Sequence, residues 1–367
     1  MEHNIGIGKS NDAVKNVQEA TAKFQNPKLI LFFSPVENFE QYTILFHEKF
    51  PDSICIGVTS IAMFNKDGAD KNTLKAVGIE NGISCSAGVL EDVDKYPIKY
   101  VERVKHCVEE VKTTKNTICL EFTTALLCAE ESVLAALNSV LLDKGIPVFG
   151  GTAGDAGDMG GTKVSLNGVV RERSCVFAII HNERGAIRIY RENIYKPLNG
   201  NLLTVTKADS QKRTVLEYNH KPAVKAYAEE LGVPESQIGK YFDTHPMGRI
   251  VGDDLFITAN CAVAERQGIT YHARIYDNSK VMVLEPDDYR KIIDGTMRKI
   301  KQEIPHPSFA ILCHCLARTL LFDGDGYLSE YAKTMSSVLG DYIGFSGYGE
   351  QGGEQNFNQT MIVAVFE

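Results

Sequence analysis

The sequence predicts a fold that mixes α/β and α+β character: two interlocked αβ halves, forming a layered sandwich with helices outside two sheets. Three observations carry this expectation. Residues 28–150 alternate short apolar strand patterns with amphipathic helix patterns. From about residue 160 the chain becomes strand-rich, with helices interspersed. Neither a low-complexity linker nor a sequence repeat separates the two parts. The expected organisation is an N-terminal arm at 1–27, an α/β half at 28–195 and a strand-rich half at 196–367.

The elements follow in order. Residues 1–27 are polar and rich in Gly, Asn and Lys, a partly ordered arm with a helix near 13–24. Residues 28–33 are wholly apolar after Lys28 and predict a buried strand. Phe39, Tyr42, Phe46 and Phe50 recur three or four apart, which places them on one helix face before Pro51 ends it. Residues 53–58 supply the next strand, and a strand–helix–strand order suggests parallel pairing. Asn81-Gly82 joins strands at 73–80 and 82–91 as a hairpin. A helix at 98–112, a strand at 117–122, a helix at 129–144 closed by Gly145 and a short strand at 146–149 complete the first half. Asn167-Gly168 marks a further hairpin between 164–166 and 169–171. Strands are then expected at 175–180, 186–192, 202–208, 255–264, 269–273, 280–284, 309–313, 341–346 and 360–366. Helices are expected at 221–231, 235–242, 287–304 and 328–339, the third opening on Pro286-Asp287-Asp288 as cap and acidic first turn.

Composition narrows the function. Of 367 residues, 39 are Lys or Arg and 47 Asp or Glu, a net charge of −8 that argues against nucleic-acid binding. The nine cysteines are odd in number, mostly set in apolar runs and never spaced as CxxC, which predicts reduced buried thiols and a cytoplasmic protein. Neither a signal peptide nor a membrane-spanning apolar stretch is expected. Gly6-Ile-Gly8-Lys9-Ser10 fails as a phosphate loop because His3 stands where the first glycine belongs. Asp323-Gly-Asp-Gly326 fails as a calcium loop because Leu328 and Thr334 occupy the required Gly and Glu positions. Cys313-His314-Cys315 has no second ligand pair at zinc spacing, so neither a metal site nor a cofactor is expected.

The remaining candidates cluster at predicted strand ends. Gly150 and Gly151 lead to Asp155, either a backbone nest for a carboxylate or phosphate with Asp155 as anchor, or a tight turn. Arg318 leaves a buried strand beside glycine-rich segments, which suits bidentate carboxylate recognition. Cys315 would be a nucleophile only with a base nearby, and buried inert cysteine is the commoner case. Tyr348 and Glu350 follow another strand running into glycines; Glu350 could hold an ammonium group while Phe345 and Tyr348 wall a pocket. His245 in Thr244-His245-Pro246 is either a proton shuttle or a hydrogen-bonded structural histidine.

Taken in order, Gly57–Ser60, Ile146–Asp155, Val205-Thr206, Asn219–Pro222, Phe242–Gly248, Cys315–Arg318, Gly344–Glu350 and Asn358–Thr360 make the chain resemble the FIST family of sensory proteins, with an N-terminal and a C-terminal FIST region over 28–367. The resemblance implies a non-catalytic cytoplasmic sensor that binds a small ligand, with amino acids as proposed ligands. It implies signalling partners such as chemotaxis receptors or histidine kinases. This chain carries no kinase, methyl-accepting or F-box segment, so output would pass through a separate protein. The alternative is a thiol-dependent hydrolase or transferase using Cys315 with His245 or His314.

Overall fold

The protein is described from a computed structural model covering residues 1–155 and 161–367. The chain divides into two units. Unit 1 comprises 1–191, 296–354 and 361–367; unit 2 comprises 192–295 and 355–360. The mixed α/β class is borne out, with several mixed sheets. Residues 296–367, read from sequence as part of a continuous second half, are divided between the two units and lie mostly in unit 1.

Among the described residues, three sheets are centred in unit 1, and each is built around one parallel strand pair. Leu29–Ser34 pairs in parallel with Ile54–Thr59, Thr117–Thr123 with Val148–Thr152, and Phe309–Cys315 with Tyr342–Gly347. Helix crossovers join the pairs: Phe39–Lys49 in the first, Glu130–Leu141 in the second, Leu316–Gly324 and Leu328–Leu339 in the third. On its other side, the first strand of each pair takes an antiparallel neighbour, Leu74–Asn81, Ser174–Asn182 and Thr360–Phe366 respectively. The recurrence is one of topology, with no repeated residues to announce it. The described residues form more sheets than the two expected, because each parallel pair lies in a sheet of its own.

Each pair sends one phenylalanine into a shared centre. Phe33 stacks on Phe345 at 5.2 Å, and Phe122 meets both edge-on at 5.9 and 5.3 Å. Such offset and edge contacts add to the apolar area they bury. Outside this centre, the helices at 101–111 and 130–141 cover one face of the second sheet through Val104, Val108, Val133, Leu137 and Leu141, packed on Cys119, Cys175, Phe177 and Ile179.

The N-terminal residues are not an arm. Glu2–Gly8 is a strand paired antiparallel with Leu74–Asn81, and Ala13–Ala20 is a helix capped by the Asp12 side chain on the Lys15 N–H. Glycine hides this strand from a propensity reading. A Cβ at Gly6 would lie 1.8 Å from the Ala20 carbonyl oxygen, and one at Gly8 1.8 Å from Asn16 Oδ1. The glycines are what let the helix lie directly on the strand.

Unit 2 is an antiparallel assembly. Asp254–Thr258, Met247–Val251, Lys280–Pro286, Leu203–Asp209 and Thr214–Tyr218 are successive neighbours, followed by Ile269–Tyr271 and Asn260–Val263. The helix Ala223–Leu231 buries Ala223, Tyr227 and Ala228 against Val205, Val215, Tyr218 and Val283.

Candidate functional site

The carboxyl ends of the three parallel pairs in unit 1 are tied together by backbone hydrogen bonds. Ser60 N donates to Ser34 O, Gly154 N to Thr59 O and Ala153 N to Thr123 O, each at 2.8 Å. Ile61 N donates to Ser346 O at 3.0 Å, and Ser346 N to Ala62 O at 2.8 Å. Contacts this close require glycine: a Cβ on Gly347 would lie 1.8 Å from Thr152 O, and one on Gly154 2.5 Å from Ser346 O. In open α/β sheets, ligands bind just beyond carboxyl strand ends.

A cavity of about 730 Å³ opens there, within the roughly 300–1,000 Å³ usual for small-molecule sites. Pro35, Glu37, Asn38 and Tyr42 come from the end of the first pair's leading strand and its crossover; Ser60 and Ile61 follow its second strand. Asp155 follows the second pair, and Leu316 and Leu320 start the crossover of the third. Ser10, Asn11, Asn16, Lys71 and Asn72 complete the wall. Among the described residues, the lining thus joins an apolar patch (Pro35, Ile61, Leu316, Leu320) to amides, hydroxyls, two acids and one lysine.

Three of its lining side chains are held by their neighbours. Tyr348 Oη donates to Asp155 Oδ1 at 2.6 Å, and Gly161 N donates to Asp155 Oδ2 at 3.0 Å. Asn16 Nδ2 donates to Tyr42 Oη at 2.7 Å, fixing two lining side chains to each other. Asp155, Asn16 and Tyr42 are each no more than 5% exposed.

The sequence-predicted site residues fall in three places. Asp155 lines the cavity, with Tyr348 bonded to it from behind. Gly150 and Gly151 lie inside the Val148–Thr152 strand, between Thr117–Thr123 and Gly349–Gly352, so their peptide groups belong to the ladder rather than to a nest. Glu350 faces Gly151 across that ladder and is fully buried. Arg318 lies on the Leu316–Gly324 helix, 1% exposed, with its guanidinium 5.0 Å from the Phe322 ring centre and 5.7 Å from that of Tyr331. Cys315 is the buried residue preceding that helix. His245 belongs to unit 2, where its carbonyl accepts from Tyr227 Oη and Asn260 Nδ2, and burial lowers its pKa.

His314 alternates to the opposite strand face from Cys315. Its Nδ1 lies 2.8 Å from Thr319 Oγ1, and its ring lies 5.1–5.5 Å from those of Phe64, Phe322 and Tyr331. Burial, then the Arg318 charge, pushes its pKa well below the usual histidine range. Among the described residues, no group of three or more His, Cys, Asp or Glu could hold a metal ion.

Sequence reasoning missed Lys71, Asn72, Leu316 and Leu320. The short hairpin Met63–Asn65 and Gly68–Asp70, which positions Lys71, carries too few residues for a periodic signal. The helix at 316–324 lacks a side-chain cap and follows its strand without a spacer.

Comparison with known proteins gives two family matches: the FIST N domain over residues 28–221 and the FIST C domain over 223–353. An uncharacterized protein of Methanocaldococcus jannaschii is 25% identical over 241 residues, which is 61% of this chain and 45% of that protein. The matched region thus spans less than half the length of that relative.

Proposed function

The chain belongs to the FIST family, whose domains are sensory, small-ligand-binding modules of signal transduction, and from that premise we propose that it senses a free amino acid or similar small carboxylate. The observation that carries the reading is the cavity where the three parallel pairs end. It has room for an amino acid, an apolar patch for a side chain, and acids at Glu37 and Asp155 for an ammonium group. Binding rather than catalysis is proposed because Cys315 is only 3% exposed and the adjacent His314 points to the other strand face. The buried thiols support a reducing, cytoplasmic setting, and output is assigned to a separate signalling protein such as a receptor or histidine kinase. Among the described residues no helix is long and apolar enough to cross a membrane.

A thermal-shift screen of the protein amino acids tests the reading. At a hundred times Kd, a true ligand adds roughly 2.7 kcal/mol of stability. Asp155→Asn should weaken binding of that amino acid at least about tenfold while sparing the matching carboxylic acid without the amine. Absence of a shift from every amino acid would sink the proposal.

A further inference from the structure

Lys71 is the one cation among the described residues that line the cavity. It is engaged elsewhere: its Nζ lies 2.7 Å from Asp323 Oδ2, with both side chains slightly under half exposed. Asp323 sits on the Leu316–Gly324 helix, where Leu316, Leu320 and Asp323 are spaced i, i+4 and i+7 and so share one stripe. Two of those three line the cavity, and the third holds its lysine.

The segment bearing Lys71 is pinned at its base. Thr73 donates both its N–H and its hydroxyl to Asp70 Oδ1, at 2.9 and 2.6 Å. The buried Lys75 Nζ reaches Asp70 Oδ2 at 3.1 Å, Asn65 Oδ1 at 3.1 Å and Gly68 O at 2.8 Å. The backbone around Lys71 is therefore held, and its side chain is what can swing. The helix, in turn, is anchored at its first turn by Thr319, which bonds Cys315 O, His314 and Ser346.

We propose that Lys71 is the specificity-determining residue for the ligand carboxylate, and that Asp323 is its intramolecular competitor. This rests on the reading of the cavity as an amino-acid site. A carboxylate entering the cavity takes Lys71 from Asp323, one ion pair replacing another with no net change in charge pairing. The exchange releases the Asp323 side chain near the carboxyl end of the helix, while Thr319 and the buried Phe322 keep the helix itself in place. Exposed ion pairs are weak, so this pair gives way readily.

The test is calorimetric titration of wild type, Asp323→Asn and Lys71→Met with L-leucine, whose side chain suits the apolar patch, and with L-leucinamide, which keeps shape and ammonium but lacks the carboxylate. Asp323→Asn should bind L-leucine about fivefold tighter, and Lys71→Met at least about tenfold weaker. L-leucinamide should bind all three proteins alike. Equal L-leucine affinity in all three overturns the Lys71–Asp323 assignment and leaves the amino-acid reading standing. Failure of all three to bind either compound overturns the Lys71–Asp323 assignment for this cavity, and together with no shift from any amino acid in the thermal screen it overturns both. The two substituted side chains are exposed, and equal melting temperatures without ligand establish that the variants are folded.

Discussion

Glu121 is fully buried in the middle of the Thr117–Thr123 strand, accepting from Thr123 Oγ1 at 2.8 Å and from Cys175 Sγ at 3.4 Å. Burial pushes its pKa from 4.5 up to about 7, and the nearby Glu130 charge pushes the same way. A carboxyl with a raised folded-state pKa binds more protons folded than unfolded between those two values. Its contribution is therefore fully present below pH 4.5 and is lost as pH rises to about 7. Glu121→Gln removes the titration. Relative to wild type, the variant should gain about 3 kcal/mol on going from below pH 4.5 to above pH 7, each tenfold change in proton affinity being worth roughly 1.4 kcal/mol. Urea unfolding at the two ends of that range measures it, and a pH-independent difference would refute the assignment. At this scale the sequence was partly legible. Asp155 follows a strand end in the sequence and lines the cavity in the structure. Arg318 and Glu350 also follow predicted strand ends, yet neither lines the cavity. Sequence places a residue near a strand end but cannot say whether its side chain lines a cavity or enters the surrounding packing.

The Leu316–Gly324 helix shows why elements were unevenly legible. Long periodic helices and alternating or wholly apolar strands were found close to their observed bounds, as at 328–339 and 360–366. This helix starts at the residue after its strand, so the period changes from two to 3.6 without a turn signal between. Its place is set by tertiary bonds instead. Thr319 Oγ1 donates to Cys315 O at 3.0 Å and lies 2.8 Å from both His314 Nδ1 and Ser346 Oγ. With its one proton on Cys315 O, it accepts from the other two. Thr319→Val keeps the volume and removes one hydrogen bond each from Cys315 O, His314 Nδ1 and Ser346 Oγ. It should cost about 3 kcal/mol, while Thr319→Ser should recover most of that loss. Denaturant midpoints of the two variants decide the matter, and equal midpoints would show that the hydroxyl does not anchor the helix.

At the scale of the whole chain, sequence order and unit membership diverge. The chain leaves unit 1 after Arg191, returns at Thr296, contributes 355–360 to unit 2 and ends in unit 1. In unit 2, the 355–360 segment is bound through Arg249 Nη2 to Asn356 O at 2.7 Å and through Asn358 N to Ile257 O at 3.1 Å. A reading by continuous halves cannot recover this, because long-range strand order leaves no local trace in composition. The closing strand Thr360–Phe366 is buried at every position and lies between Ile187–Asn193 and Phe309–Cys315 in the third sheet. Ser308 N and Oγ donate to Phe366 O at 2.8 and 3.1 Å, and Glu367 N donates to Ala186 O at 3.0 Å. Deleting residues 361–367 would remove the antiparallel partner of residues 309–314 and leave that edge of the strand unpaired. It would also remove Met361, Ile362, Val363, Val365 and Phe366, each worth roughly 1.5–3 kcal/mol when buried. Their sum, roughly 7.5–15 kcal/mol, is as large as the roughly 5–15 kcal/mol that keeps a typical domain folded. Loss of the final seven residues should therefore abolish the cooperative folding of unit 1, although the cavity-lining residues all remain in the chain. A truncated protein that stays soluble and melts cooperatively near the wild-type temperature would refute this, and would mean that the first two parallel pairs fold without the third sheet.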